Sequence, residues 1–129
     1  KEVCDELGIA LIAYSPLVLG ILTGKYSETG PFPKGIRGLL FRQLLPNARS
    51  LLSCVQAVAQ SRDRSMAQVA LNWCICKGTI PIPGAKSVAQ AEENMGALGW
   101  TLDAGEIAEL DRAAARVEKK MVQNIFQSR

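Results

Sequence analysis

Two hydrophobic rhythms alternate along the chain. Residues 8–14, Gly-Ile-Ala-Leu-Ile-Ala-Tyr, form a near-continuous apolar run, the pattern of a strand buried on both faces. Pro16 stops it, because proline cannot donate to a ladder. A second short strand is expected at 79–83, Thr-Ile-Pro-Ile-Pro. Elsewhere the spacing is helical. Residues 1–7 read as the tail of a helix, with Val3 and Leu7 four apart and Gly8 where a terminating glycine belongs. Residues 17–23 suit a helical turn that leads into a loop rich in Gly, Pro and charge, expected to run from 20 to about 46. Leu51, Leu52, Val55, Val58 and Ala59 then share one stripe of a helix over 47–61. Ser65 and Gln68 have capping-box spacing at the start of a further helix that carries Val69, Ala70, Trp73 and Ile75 and stops at Gly78. The same spacing recurs in Ser87 and Gln90, opening a helix over 87–98. It recurs again in Asp103 and Glu106, opening a final helix over 103–120 with Ile107, Leu110 and Val117 inward.

Strands separated by helical crossovers pair in parallel, so the fold class is α/β. Two strands cannot close a sheet, and parallel sheets are covered on both faces. Residues 1–129 are therefore expected to be a fragment of one larger domain, beginning inside a helix. Composition places the chain among soluble globular proteins, with 48% hydrophobic and 21% charged residues. The net charge of +3 is scattered among acids, without the basic stripe that tracks nucleic acid. Ser15, Pro16 and Gly20 interrupt the longest apolar stretch, 8–22, so no membrane span is expected. The first residues carry no targeting motif, and an intracellular location is expected from cysteines read as reduced, packed thiols. There is no His, and Cys4, Cys54, Cys74 and Cys76 lack metal spacing, so reduced, packed thiols and no metal site are expected.

Chemistry concentrates in Ile82-Pro83-Gly84-Ala85-Lys86-Ser87-Val88-Ala89-Gln90-Ala91-Glu92-Glu93-Asn94. A strand ends at a Pro-Gly turn and a helix opens with a Lys at its threshold. The first N–H groups of a helix lack intrahelical partners, and the aligned peptide dipoles make that end partly positive. It is a ready phosphate site, and Lys86 adds a full charge. A phosphate monoester carries nearly two negative charges at neutral pH, which a compact ammonium suits.

Ala13-Tyr14-Ser15-Pro16-Leu17, followed by Gly20-Ile21-Leu22-Thr23-Gly24-Lys25-Tyr26, resembles the seventh-strand segment of aldo-keto reductases. The 82–94 segment, continuing as Met95-Gly96-Ala97-Leu98, is similar to the eighth strand and helix of that family. Met66-Ala67-Gln68-Val69-Ala70-Leu71-Asn72-Trp73 and the acidic last helix with Glu109-Leu110-Asp111 also have the family's look. The resemblance implies the C-terminal part of a (β/α)8 barrel that reduces carbonyl compounds, or oxidises alcohols, with NADPH. Active sites of such barrels gather at the C-terminal ends of the strands. By resemblance, Tyr14 would stack on the nicotinamide. Ser15, Pro16, Leu17 and the following loop, with Gly20, Thr23 and Lys25, would run along the pyrophosphate, and Arg37 would reach toward the adenosine end. Gly84 would admit close approach, Lys86 and Gln90 would face the 2′-phosphate, and Glu93 and Asn94 would contact adenine.

Plainer roles compete. Tyr14 could be a packed strand residue, Lys25 and Arg37 solvated loop charges, and Glu93 a surface acid. Trp73 and Trp100 are expected in helix packing. The family's catalytic Tyr, Lys, Asp and His come from earlier strands, and none can be carried onto this chain; Lys25 and Tyr26 are sequence neighbours, not a matched acid pair. The chain by itself is expected to be inactive and prone to unfold or aggregate. Two other readings stay open: an NADPH-binding regulatory or channel-associated subunit, and an unrelated (β/α)8 enzyme with a phosphate site after its last strands. The pocket walls that choose a substrate lie on other loops. The tail 119–129, with Ile125 and Phe126, is expected to fray rather than cover the barrel mouth.

Overall fold

A computed structural model describes residues 1–30 and 32–118. The order is α1 (Glu2–Glu6), β1 (Leu11–Tyr14), a 3-10 helix (Val18–Thr23), α2 (Ile36–Ser61), α3 (Met66–Cys76), β2 (Thr79–Ile82), α4 (Val88–Met95) and α5 (Ala104–Ala115). β1 and β2 pair in parallel, with Leu11 opposite Thr79 and Tyr14 opposite Ile82. The helical connection predicted from sequence therefore does join neighbouring parallel strands. Their C-terminal ends point the same way, so the turns that follow them are brought together.

Several ends follow from local chemistry. Gly8, at φ +65, closes α1, and the Ile9 N–H donates to the Cys4 carbonyl at 2.8 Å. Ser65 and Gln68 form the full reciprocal box that opens α3, as Asp103 and Glu106 do for α5. α4 is shorter than expected, ending at Met95, and α5 ends at Ala115.

Two expectations are corrected. The segment from 36 to 46, read as loop, is the first part of α2, which runs 26 residues with Pro46 inside it. Proline removes one intrahelical donor and crowds the preceding turn. The cost is outweighed by an apolar stripe that continues across it: Phe41, Leu44, Leu45 and Ala48 are buried, in register with Leu51 and Val55 beyond. Pro46 itself faces outward, and Asn47 Nδ2 donates to the Gln43 carbonyl at 2.9 Å just upstream. The second correction concerns β1, which is not buried on both faces in this chain. Ile12 is 60% exposed and Tyr14 49%. The apolar run is real, but the layers that would cover it are not among the described residues.

The core instead lies between helices. α2 packs on α3 and α5, enclosing Val55, Val69, Ala70, Leu102 and Leu110. A second cluster, Ile21, Phe41, Leu44 and Leu45, joins the 3-10 helix to the first half of α2. Trp73 and Trp100 pack against the larger cluster, and Trp73 Nε1 donates to Asp111 at 3.0 Å. Asn72, 1% exposed, is the one buried polar side chain of the described residues. Its Nδ2 donates to the Ala97 carbonyl at 2.9 Å and the Trp100 carbonyl at 2.8 Å, while its Oδ1 accepts from the Leu102 N–H at 3.1 Å. One side chain thereby fixes the turn after α4 against α3. The tail 119–129 lies outside the described residues, and so do any structural roles expected of it.

Candidate functional site

A cleft of about 820 Å³ opens where the two strands end. That lies within the roughly 300–1,000 Å³ typical of small-molecule pockets. One wall is the turn after β1, with Ser15, Pro16, Leu17, Gly20, Thr23 and Lys25. The other is the turn after β2 and the start of α4, with Gly84, Lys86, Gln90, Glu93 and Asn94. Segments some seventy residues apart in sequence are brought together by the pairing of Tyr14 with Ile82.

Tyr14 stands at the end of β1, half exposed, beside this cleft rather than among its lining residues. Arg37 lies in the first turn of α2, and its side chain is outside the described residues.

The β1 turn is strained. Ser15, Val18 and Leu19 have φ of 51, 51 and 56, in the left-handed region that glycine favours. For non-glycine residues this costs on the order of 1 kcal/mol each, and most for a β-branched valine. Local hydrogen bonds and packing hold it. Val18 N–H donates to the Ser15 carbonyl and Gly20 N–H to the Leu17 carbonyl, both at 2.9 Å. The Val18 side chain packs against both core clusters. Further on, Thr23 Oγ1 donates to the Gly20 carbonyl at 2.7 Å and accepts from the Lys25 N–H at 3.3 Å.

At α4 the expected capping box is half made. Ser87 Oγ accepts from the Gln90 N–H at 3.3 Å, but Gln90 Oε1 reaches past Ser87 to accept from the Lys86 N–H at 2.6 Å. Gln90 thus ties down the backbone that carries Lys86. Gly84 has open space where a Cβ would sit, and its φ is not left-handed. Neither packing nor backbone geometry within this chain requires glycine there.

Tyr26, Ser65 and Ala67 carried no expected role at the site, and Leu19, Pro83 and Ala85 lay within its expected segments without a role of their own; all six line the cleft. Ser65 was legible only as a helix cap. Its place at the cleft depends on Gly24, where a Cβ would lie 2.5 Å from Met66 Sδ, so the loop can press against the start of α3. The starts of both α3 and α4 border the cleft, and helix starts present unpaired N–H groups and positive dipole ends. Among the described residues no three His, Cys, Asp or Glu side chains gather as a metal site. The four cysteines form no disulfide, and burial pushes the Cys74 and Cys54 thiols up.

A profile of the aldo/keto reductase family matches residues 1–115. The chain belongs to the aldo/keto reductase family. It is 57% identical, over 129 residues, to the chloroplastic pyridoxal reductase of Arabidopsis thaliana, covering 100% of this chain and 35% of that protein. An aldo-keto reductase of Schizosaccharomyces pombe whose name carries NADP(+) is 31% identical over 127 residues, 91% of this chain and 36% of its own. Among solved structures, the glycerol dehydrogenase of Gluconobacter oxydans superposes with a TM-score of 0.76 at 24% identity, over 97% of this chain and 40% of that one. The chain spans about a third of the length of the curated relatives it matches. Its strands and helices are part of an aldo-keto reductase barrel. No helix of the described residues is long and apolar enough to cross a membrane.

Proposed function

We propose that residues 1–129 form the C-terminal part of one (β/α)8 domain and hold much of the NADPH site of a carbonyl reductase. Lys86 and Gln90 take the 2′-phosphate, Glu93 and Asn94 the adenine, and the turn from Ser15 to Lys25 the pyrophosphate. Tyr14 faces the nicotinamide, and Arg37 reaches the adenosine end. The observation that carries this reading is one cleft bordered by Lys86, two helix starts and an unfilled Gly84. A ligand pressed against the Gly84 Cα accounts for a glycine that the chain's own packing does not require. Gln90 Oε1 is engaged by the Lys86 N–H, which leaves its Nε2 as the donor for phosphate.

When bound, NADPH supplies hydride; these residues bind and orient it. The proton donor comes from elsewhere in the barrel, so the chain by itself turns over no carbonyl. The substrate is a small carbonyl or alcohol compound. The name of the Arabidopsis relative makes pyridoxal the first to assay. An intracellular, soluble enzyme belongs to the same proposal.

The test is made in a complete barrel protein carrying this chain. Lys86→Glu exchanges a charge-assisted contact for repulsion, which weakens NADPH binding by about 10- to 100-fold. NADH, which lacks the 2′-phosphate, is expected to change little. Nucleotide fluorescence titrations measure both, and unchanged NADPH affinity overturns the assignment.

A further inference from the structure

Beside Lys25, on the cleft wall, Tyr26 occupies a position that the cofactor reading leaves without a role. The Lys25 ammonium lies over its ring, 5.7 Å from the centroid, within the range at which a ring face attracts a cation. The ring itself is fixed. It meets Phe41 at 85° with centroids 4.9 Å apart, and Phe41 is fully buried in the cluster that joins the 3-10 helix to α2. Edge-to-face geometry of this kind is the favoured arrangement of aromatic pairs.

The backbone on either side is pinned as well. Upstream, the Thr23 hydroxyl accepts from the Lys25 N–H. Downstream, Glu28 is held by a two-bond contact with Arg49 on α2, which keeps its carboxyl below the usual range. Lysine is otherwise a flexible stem whose ammonium loses rotamer freedom when it binds an anion.

We infer that Tyr26 is a positioning residue: its ring, braced by Phe41, holds the Lys25 ammonium at the cleft wall for the pyrophosphate. The inference rests on the reading that Lys25 is a pyrophosphate ligand. Part of the ordering cost is met before the nucleotide arrives, so the gain is in affinity. It is a second-order effect, carried through Lys25 and not by direct contact of Tyr26 with the reacting atoms.

A double-mutant cycle on NADPH affinity in the complete barrel protein tests it. Lys25→Met weakens binding. Tyr26→Leu weakens it about two- to five-fold while Lys25 is present, and has no further effect in the Lys25→Met background. Tyr26→Phe recovers most of what Tyr26→Leu loses. A fluorinated phenylalanine at position 26, which keeps the shape but drains the ring face of charge, weakens binding relative to Tyr26→Phe. It also serves if Tyr26→Leu does not fold. Equal losses in both backgrounds, or no difference between the fluorinated and plain rings, overturn the inference while leaving Lys25 as a ligand. If Lys25→Met alone changes nothing, Lys25 is no ligand and the inference falls with it. The Lys86→Glu result then judges the cofactor reading separately.

Discussion

In the helical layer Val55, Val69 and Leu110 are fully enclosed, whereas one layer away Ile12, Ile80 and Ile82 keep more than half of their surface exposed. All six are branched aliphatic residues. What differs is how many layers the chain provides on either side. α2 is packed by α3 and α5, while the strand pair has α3 beside β2. α4 shares the condition of the strands: Val88 and Met95 on it, and Leu98 just beyond it, are exposed, with Val88 at 75%. In a complete barrel, side chains from all the strands fill the interior and the helices form an outer ring around it. The cleft lies on the seam between these regions. Its α3 wall, Ser65 and Ala67, adjoins the packed helical layer, and Tyr14 beside it belongs to the open sheet.

The sharpest way to break that comparison is at the join. Asn72→Ala leaves the Ala97 and Trp100 carbonyls and the Leu102 N–H without their partner. At about 1–3 kcal/mol for each buried group left unpaired, the loss is expected to reach about 3 kcal/mol or more in urea unfolding of the complete protein. A loss below about 1 kcal/mol would mean that water takes Asn72's place and that the join is open.

Ile12→Ala addresses the other side. If the exposed sheet face is an interior face, the substitution costs about 2 kcal/mol or more in the complete protein, as for any buried aliphatic. A surface position would cost about 0.5 kcal/mol or less, and the same unfolding measurement separates the two.

The smallest effect concerns the ion cluster that clasps the end of α2 to the start of α5. Arg62 Nε and Nη2 donate to Glu106 at 2.7 and 2.6 Å, and Nη2 also donates to Asp103 at 3.1 Å. The Arg62 guanidinium holds the Glu106 carboxyl below its ordinary range, with burial opposing. A carboxyl lowered by folding contributes stability above its unfolded pKa, which is lost as pH falls through the folded value. The unfolding midpoint should therefore decline below about pH 4.3, and more gently in Arg62→Met. Equal slopes in both proteins would assign the decline to other groups.

Much of this molecule was legible from residue order. Caps at Ser65 and Asp103, the stop at Gly8 and the strand-to-helix turn at 82–87 depend on neighbours a few residues away, and the parallel pairing followed from the helical connection between the strands. The start of α2 was not legible, because Pro46 and Gly38 read as breakers. Only packing of Phe41 and Leu44 against Ile21 and Tyr26 makes that turn of helix worth its cost. Gln90 was legible as a polar group near a helix start. Its reach to the Lys86 N–H instead of the Ser87 N–H depends on side-chain geometry that spacing does not specify.

The sequence by itself determined the α/β order, the starts of α3, α4 and α5 and the family, because these rest on periodicity, capping chemistry and contiguous motifs. The tertiary structure decided which distant segments share a cleft, that Ser65, Ala67 and Tyr26 belong to it, and that the apolar strands face outward in this chain. Those outcomes are sums of contacts between residues far apart in the sequence, and no local pattern encodes which of two apolar faces will find a neighbour.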